Sequence, residues 1–142
     1  FKKLHPAGSL GAQLKTVEDI MIKGNKIPFV NENLKTSKAL KVLSEKKLGI
    51  LVVRDKKNKT KGIVTDGQIR RVSQKDANFQ NLLVKEIMTK KPIFIDSNVL
   101  AAKALALMNN KKITSLLVCN KKKPYLTIGV IHVHTILKSN IS

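Results

Sequence analysis

His132 and His134 stand two residues apart, and they are two of only three histidines in the 142-residue chain. On a strand this spacing puts both imidazoles on one face, where they could share a metal ion. If a helix begins at Val133, the two rings are expected to diverge. No carboxylate or third histidine is close in sequence and Cys119 is the only plausible addition, so the ligand count argues against a metal. Arg70 and Arg71 are two of three arginines in a chain whose other cations are lysine. Guanidinium suits two-point capture of a phosphate or carboxylate, although a solvated helix face is the commoner use of such a pair. Thr114-Ser115, ahead of an apolar run, offers hydroxyls to a sugar or phosphate, or serves only as a pair of β-forming residues. Thr65 and Gln68 have the spacing of a capping box, which closes the first turn of a following helix.

The elements that must carry these residues occur twice. Ile20-Met21 recurs as Ile87-Met88 and Gly62-Ile63-Val64 as Gly129-Val130-Ile131, both 67 residues on. Between these anchors Lys38-Ala39-Leu40 recurs as Lys103-Ala104-Leu105 and Leu51-Val52-Val53 as Leu116-Leu117-Val118, both 65 residues on. The first copy therefore holds two extra residues near Gly24-Asn25, and the second holds two extra around Lys121–Tyr125. Each copy opens with a short segment, Val17–Met21 or Val84–Met88, followed by a strand at Lys26–Val30 or Pro92–Ile95. A helix follows. Thr36 or Ser37 is the expected cap in copy one and Ser97 in copy two, and Ala101, Ala104, Leu105 and Met108 make one apolar helical face. Strands Ile50–Arg54 and Gly62–Thr65 form a hairpin through Asp55–Asn58, matched by Ser115–Asn120 and Thr127–His132. Closing helices are expected at Asp66–Val72 and Val133–Lys138, with Ser73–Leu83 a linker or a helix continuation. The order in each copy is strand, helix, strand, strand, helix, an α+β unit used twice with pseudo-twofold symmetry. A ligand cleft is expected between the copies.

Composition narrows the class. Hydrophobic residues make up 42% and aromatics 4%, so the core is aliphatic. The longest aliphatic runs are Ile50–Val53 and Leu116–Cys119, far short of the ~20 residues that span a membrane. No secretory signal is visible and a lone cysteine forms no internal disulfide, which together suit a reducing cytoplasm. The chain begins with Phe1 and reads as a piece of a longer protein. Its net charge of +19 is almost all lysine, spread over turns and helix faces of both copies. Nucleic-acid readers favour arginine and stacking aromatics, so the charge reads as a solvated surface, with polyanion attraction the alternative.

The repeated unit, with Asp19-Ile20-Met21 near its start and Gly62-Ile63-Val64-Thr65-Asp66 leading into its last helix, resembles the cystathionine-β-synthase (CBS) domain over about residues 15–140. Such units occur in pairs, and the resemblance implies a regulatory sensor that binds nucleotides between its repeats. Thr65 and Gln68 fall on the positions of the pattern Gly-h-x-Thr-x-x-Asp that contact ribose and phosphate. Gln68 replaces the aspartate, and in copy two His132 and Thr135 replace both residues. A carboxylate can accept from both ribose hydroxyls at once, so its replacement in both copies points away from plain adenosine. Ligand contact and capping both stay open for Thr65 and Gln68.

The segment Phe1–Gly11, together with Ile27-Pro28, Arg70-Arg71, Ile113-Thr114-Ser115 and His132-Val133-His134, is similar to the C-terminal part of D-arabinose-5-phosphate isomerases. In that family a sugar-isomerase (SIS) domain precedes the CBS pair, and its last element carries a His-Pro-Gly-Gly segment, with Ala7 here in place of the first glycine. The resemblance implies an enzyme interconverting ribulose 5-phosphate and arabinose 5-phosphate on the route to the lipopolysaccharide sugar Kdo. It divides the chain into the tail of the SIS domain and linker (1–14), repeat one (15–76) and repeat two (77–142). His5 would be the family's catalytic histidine only with the SIS domain present, and the chain by itself is expected to be non-catalytic. The ligand set implied is Thr65, Asp66, Gln68, Arg70, Arg71, Thr114, Ser115, His132, His134 and Thr135. The histidines would donate to a phosphate or carboxylate. The expected partners are a nucleotide or nucleotide sugar, CMP-Kdo in particular, the SIS domain, and a second copy in a dimer or tetramer, with neither cofactor nor metal. Nucleic acid and membrane are not expected partners.

Overall fold

The computed structural model describes residues 14–139. They form an α+β structure in two compact units, one continuous (Asn25–Pro92, the central unit) and one built from the chain up to Gly24 together with Ile93 onward (the terminal unit). In the central unit the order is β1 (Phe29–Asn31), α2 (Thr36–Lys46), β2 (Ile50–Arg54), β3 (Thr60–Thr65), α3 (Asp66–Lys75), α4 (Val84–Ile87) and β4 (Thr89–Lys90). The terminal unit has α1 (Val17–Ile20), then β5 (Phe94–Asp96), α5 (Ala101–Lys111), β6 (Ser115–Cys119), β7 (Gly129–His132) and α6 (Val133–Lys138). Each copy thus shows strand, helix, strand, strand, helix. One-turn 3-10 helices at Gly24–Lys26 and Phe79–Asn81 take up part of the polar connections.

In the central unit the strands run in the order β1-β2-β3-β4, with β1 parallel to β2 and the later pairs antiparallel. The terminal unit repeats this as β5-β6-β7, and an isolated bridge from Ile22 to Val130 stands where the central unit has β4. The β2–β3 turn is held by Asp55, whose Oδ1 accepts from the N–H groups of Lys57 and Lys59 at 2.8 and 2.9 Å, with Asn58 at φ 67°. Arg54, the remaining arginine, lies 3.7 Å over the Phe29 ring.

The compact units are not the sequence repeats. The buried core of the central unit contains Val30, Ala39, Leu43, Leu51, Val53 and Val64 of copy one, but also Val84 and Ile87 from the opening helix of copy two. The terminal core mirrors this, with Val17 of copy one among Ala104, Leu105, Met108, Leu116, Ile131 and Ile136. Val17 and Val84 are fully buried, and each such side chain stabilises its unit by about 1.5–3 kcal/mol.

The helix caps differ from the sequence expectation. Lys35 and Leu100 are the N-cap residues of α2 and α5, and neither makes a side-chain cap. Thr36, Ser37 and Ser97 do not fill that position because main chain already does the work. The first N–H of α2, on Thr36, donates to Leu82 O at 2.8 Å, and that of α5, on Ala101, donates to Lys15 O at 2.9 Å. Thr36 Oγ1 adds a bond to the same Leu82 carbonyl at 2.9 Å. At the other end both helices stop on a left-handed lysine, Lys47 and Lys112, each at φ 57°.

The anchors that reveal the duplication have a steric basis. A Cβ on Gly62 would lie 2.5 Å from Thr89 O and 2.9 Å from Met88 Sδ, and a Cβ on Gly129 would strike Met21 Sδ and lie 3.0 Å from Ile22 O. The Ile-Met pair and the Gly-Ile-Val motif are thus two sides of one close approach, made once per unit. Gly62→Ala and Gly129→Ala are each expected to destabilise the chain by about 1–3 kcal/mol, as overpacking does. Urea denaturation checks this, and an unchanged midpoint would show that the methionine and its carbonyl neighbour give way freely.

Candidate functional site

The candidate residues gather where the last strand of each copy turns into its closing helix. In the central unit Thr65 is the N-cap of α3, and its Oγ1 accepts from the Gln68 N–H at 3.3 Å. This is half of the expected capping box. Gln68 does not reach back to Thr65, because its Nε2 donates instead to Ile87 O at the end of α4. The carbonyls in the last turn of a helix have no partner within it, and the Gln68 amide supplies one. With Nε2 so committed the amide cannot turn over, and Oε1 is left buried with no hydrogen-bond partner. A buried acceptor in that state costs about 1–3 kcal/mol until a donor reaches it.

Asp66 begins α3 as an exposed residue, its N–H donating to Gly49 O at 3.2 Å. Its carboxylate leans over Gly49, where a Cβ would stand 3.1 Å from Oδ2. Arg70 and Arg71 are both exposed on α3. The Arg71 guanidinium folds back toward Gly67, 3.5 Å from where a Cβ there would lie.

In the terminal unit the corresponding junction is built from histidines. His132 is the N-cap of α6 and its Nδ1 accepts from the His134 N–H at 3.1 Å. The helix does begin at Val133, but the rings do not diverge. Their centroids are 5.0 Å apart with an interplanar angle of 24°, because the capping bond draws the His132 ring over the first turn, where His134 projects. An accepting Nδ1 puts the proton of neutral His132 on Nε2, which is therefore the donor it offers a ligand. Ser115 pairs with His132 across β6 and β7, and the Val133 N–H donates to Thr114 O at 3.0 Å, so this hydroxyl pair borders the histidines. Thr135 is half-buried one residue further along α6.

The structure thus brings together Thr65, Asp66 and Gln68 at one junction, and Thr114, Ser115, His132, His134 and Thr135 at the other. His5 lies outside the described residues. Among the described residues no three His, Cys, Asp or Glu side chains come together as a metal site. Cys119 is buried, and desolvation, with a smaller push from Asp96, raises its thiol above the usual range. What the sequence did not reveal was the Ile87 carbonyl as partner of Gln68. Its one signal was the Ile87-Met88 anchor itself, which marks where copy two's opening segment must lie.

Burial, and then His134, lower the pKa of His132 below its ordinary value of 6.5. A protonated Nδ1 cannot accept, so the cap is present above the unfolded-state pKa and is lost as pH falls from there through the lower folded-state value. The melting temperature is expected to drop on acidification from about pH 7 to 5, by a cap contribution on the order of 1 kcal/mol. His132→Asn, which keeps a capping oxygen, should flatten that part of the profile in a pH-resolved thermal melt.

Comparison with known proteins bears on this geometry. The family model described as CBS domain matches residues 17–75 and 84–141. Arabinose 5-phosphate isomerase KdsD of Salmonella typhimurium is 37% identical over 142 residues, 99% of this chain and 42% of that protein. KdsD of Escherichia coli K12 is 34% identical over the same shares. An uncharacterized protein of Rickettsia prowazekii is 35% identical over 100% of this chain and 43% of its own length. The chain spans less than half the length of these relatives. Among solved structures, a CBS-domain protein from Agrobacterium tumefaciens superposes with a TM-score of 0.80 at 19% identity, covering 94% of this chain and 98% of that one. CBSX2, solved in complex with AMP, gives 0.75 at 22% identity, covering 88% and 95%. Among the described residues no helix is long and apolar enough to cross a membrane. With both repeats matched by one family model and the same α+β unit folded twice, the chain belongs to the CBS domain family and carries that domain as a tandem pair.

Proposed function

We propose that this CBS pair is the ligand-sensing regulatory part of an arabinose 5-phosphate isomerase, and that it senses an anionic nucleotide or nucleotide sugar, with CMP-Kdo as the specific candidate. Several relatives matched along 99% of the chain are isomerases of that name, which supports the first half. The observation that carries the second half is the His132 cap. It fixes an imidazole N–H as a donor beside Thr114 and Ser115, and none of the described residues named at this junction carries a carboxylate to repel a negatively charged group. At the other junction Thr65 and the orphaned Gln68 Oε1 stand ready for a hydroxyl or amine, and Arg70 and Arg71 supply positive charge on the same helix.

The AMP held by CBSX2, and the 5'-methylthioadenosine and S-adenosylmethionine held by the CBS pair of MJ0100, are adenosine ligands. The replacement of the ribose-binding carboxylate by Gln68 and Thr135 is the reason this reading departs from them. A bound nucleotide regulates the attached SIS domain only to the extent that it binds one arrangement of the protein better than another. Self-association through the closing helices belongs to the same reading, with Leu137 of α6 half exposed.

Isothermal calorimetry at fixed salt tests the ligand. CMP-sugar should bind more tightly than AMP, and the variant His132→Asn with His134→Ala, which keeps the α6 cap, should bind it about 1–3 kcal/mol more weakly. Equal affinity in the variant would remove the histidines from the site. The net charge of +19 favours a second reading, polyanion binding, which predicts affinity falling steeply with salt and little preference among nucleotides. The pure 142-residue chain should not turn over arabinose 5-phosphate, and measurable isomerisation in a coupled assay would overturn the regulatory assignment.

A further inference from the structure

The turn between β6 and β7 holds the two extra residues of the second copy, around Lys121–Tyr125. Its main chain is tied down at each step from Lys121 to Lys123. Asp96 Oδ2 accepts from the Lys121 N–H at 3.0 Å, Asn120 Oδ1 from the Lys122 N–H at 2.9 Å, and Asn120 O from the Lys123 N–H at 2.9 Å. The Leu126 N–H then donates to Lys123 O at 3.1 Å. With these N–H groups occupied, the turn presents side chains, and Lys121, Lys122, Lys123, Pro124 and Tyr125 are all exposed. Tyr125 is the chain's one tyrosine, and at 62% exposure it is the most exposed large apolar side chain among the described residues.

Neither feature serves the fold. Three adjacent ammonium groups repel one another, and from Ser97 to Ser142 the chain has seven lysines and no aspartate or glutamate to offset them. Asp96, the carboxylate that does reach the turn, gives one oxygen to Lys121 and the other to the Asn98 N–H at 2.9 Å. A ring left in water gains no burial. The corresponding turn of the central unit, 55–61, also exposes Lys56, Lys57 and Lys61, but it has Asp55 within it and no aromatic residue. A ring beside clustered lysines thus belongs to the β6–β7 turn alone of the two.

Cations on a rigid turn with a ring among them are the complement of a phosphate chain whose bases are free to stack. Paired bases offer no such face, so the match is to a single strand. Arginine and aromatic residues are scarce in the chain as a whole, but backbone contact needs only cations and stacking needs only a ring at the point of contact. A lipid surface fits less well. Leu126 is half-buried and Thr127 buried, which leaves Tyr125 and Pro124 as the side chains of this turn able to enter an interface.

We propose that the β6–β7 turn is a docking point for single-stranded nucleic acid, with Lys121, Lys122 and Lys123 on its phosphates and the Tyr125 ring stacked on a base. This rests on the polyanion reading above, to which it gives a place and a partner class. It is independent of the nucleotide reading, whose histidines follow at the far end of β7.

The test is fluorescence anisotropy of a labelled single-stranded RNA of about 12 nucleotides, titrated with the full chain at several salt concentrations. Tyr125→Leu should weaken binding about fivefold or more without changing the salt slope, and should not affect a duplex of the same length. The triple variant Lys121→Gln, Lys122→Gln, Lys123→Gln should lower the slope of log K against log salt by about 2, at ~0.7 per phosphate contact. Lys56→Gln, Lys57→Gln, Lys61→Gln removes the same charge from the other turn and should leave the slope unchanged. All these positions are exposed, so the melting temperature should be kept. RNA affinity that survives Tyr125→Leu, or equal losses from the two triple variants, overturns the proposal and leaves the general polyanion reading standing. Failure to bind both the RNA and inorganic polyphosphate removes both. The proposal is also overturned if the β6–β7 variants keep their RNA affinity but lose flotation with phosphatidylglycerol vesicles, which would assign the turn to a lipid surface.

Discussion

The opening helices α1 and α4 are four residues long, far too short to hold themselves together in water, and the rest of the structure depends on what holds them. The answer is a reciprocal exchange of main-chain hydrogen bonds. The N–H groups of Val84 and Lys85 donate to Leu34 O and Glu32 O at 2.8 and 3.0 Å, while the Thr36 N–H returns a bond to Leu82 O. In the terminal unit Val17 and Glu18 donate to Val99 O and Ser97 O at the same two distances, and Ala101 returns a bond to Lys15 O. One short exchange thus satisfies the first donors of two helices and seats one fully buried valine per unit. Each opening helix adds a carboxylate of its own. Asp19 accepts from the Thr16 N–H and Glu86 from the Leu83 N–H, both at 2.8 Å. The Thr16 backbone bond, followed by its hydroxyl, holds the Asp19 carboxyl below the usual range.

The symmetry ends where chemistry begins. The Ile-Met and glycine motifs that build the close approach at Gly62 and Gly129 recur in both copies, as does the buried valine that each exchange seats, whereas the other residues of the exchange contribute main chain and differ in type. Side chains that could do chemistry differ around the strand-to-helix junctions: Thr65 against His132, Gln68 against Thr135, Asp66 against Val133, Gly49 against Thr114. A duplicated scaffold can hold two similar junctions rigidly while each acquires its own donors and acceptors. Gln68 has become a tether to α4 as well as a candidate contact, and His132 has become a cap as well as a donor. In both cases the remaining polar atom of the side chain is oriented by the bond its other atom makes to the protein.

Much of this was legible in the sequence, because the duplication supplied its own check. The spacing of Ala101, Ala104, Leu105 and Met108 specifies the buried face of α5, and the strand expected at Ile50–Arg54 has those ends in the structure. Most of what the sequence hid was a partner distant in the chain. Ser97 looks like a cap because serine is a good one, but its carbonyl is taken by Glu18 and its N–H by Cys119 O, so it belongs to the loop before the helix. Gln68 has the spacing of a capping box, and only the tertiary position of Ile87 reveals a better acceptor. For the two histidines, alternation and helical periodicity both describe where side chains leave the backbone. Neither describes a ring that folds over to accept a bond.

The crossing of the chain between units at Gly24-Asn25 and again at Pro92-Ile93 has a consequence for how such a protein can be assembled. One repeat on its own would own a sheet, its two longer helices and an opening helix that finishes the other copy's core, but would lack the opening helix that finishes its own, so it could close only by borrowing that piece from a second molecule. Its stability would then rise and fall with concentration, as it does for any obligate pair. Fusing two repeats turns the borrowed piece into a tethered neighbour, present at the millimolar local concentration that a short covalent connection provides. The polar stretch between the copies therefore does more than join them. It converts a second-order encounter into a first-order one, and makes a complete core possible in a cell that holds very few copies of the chain.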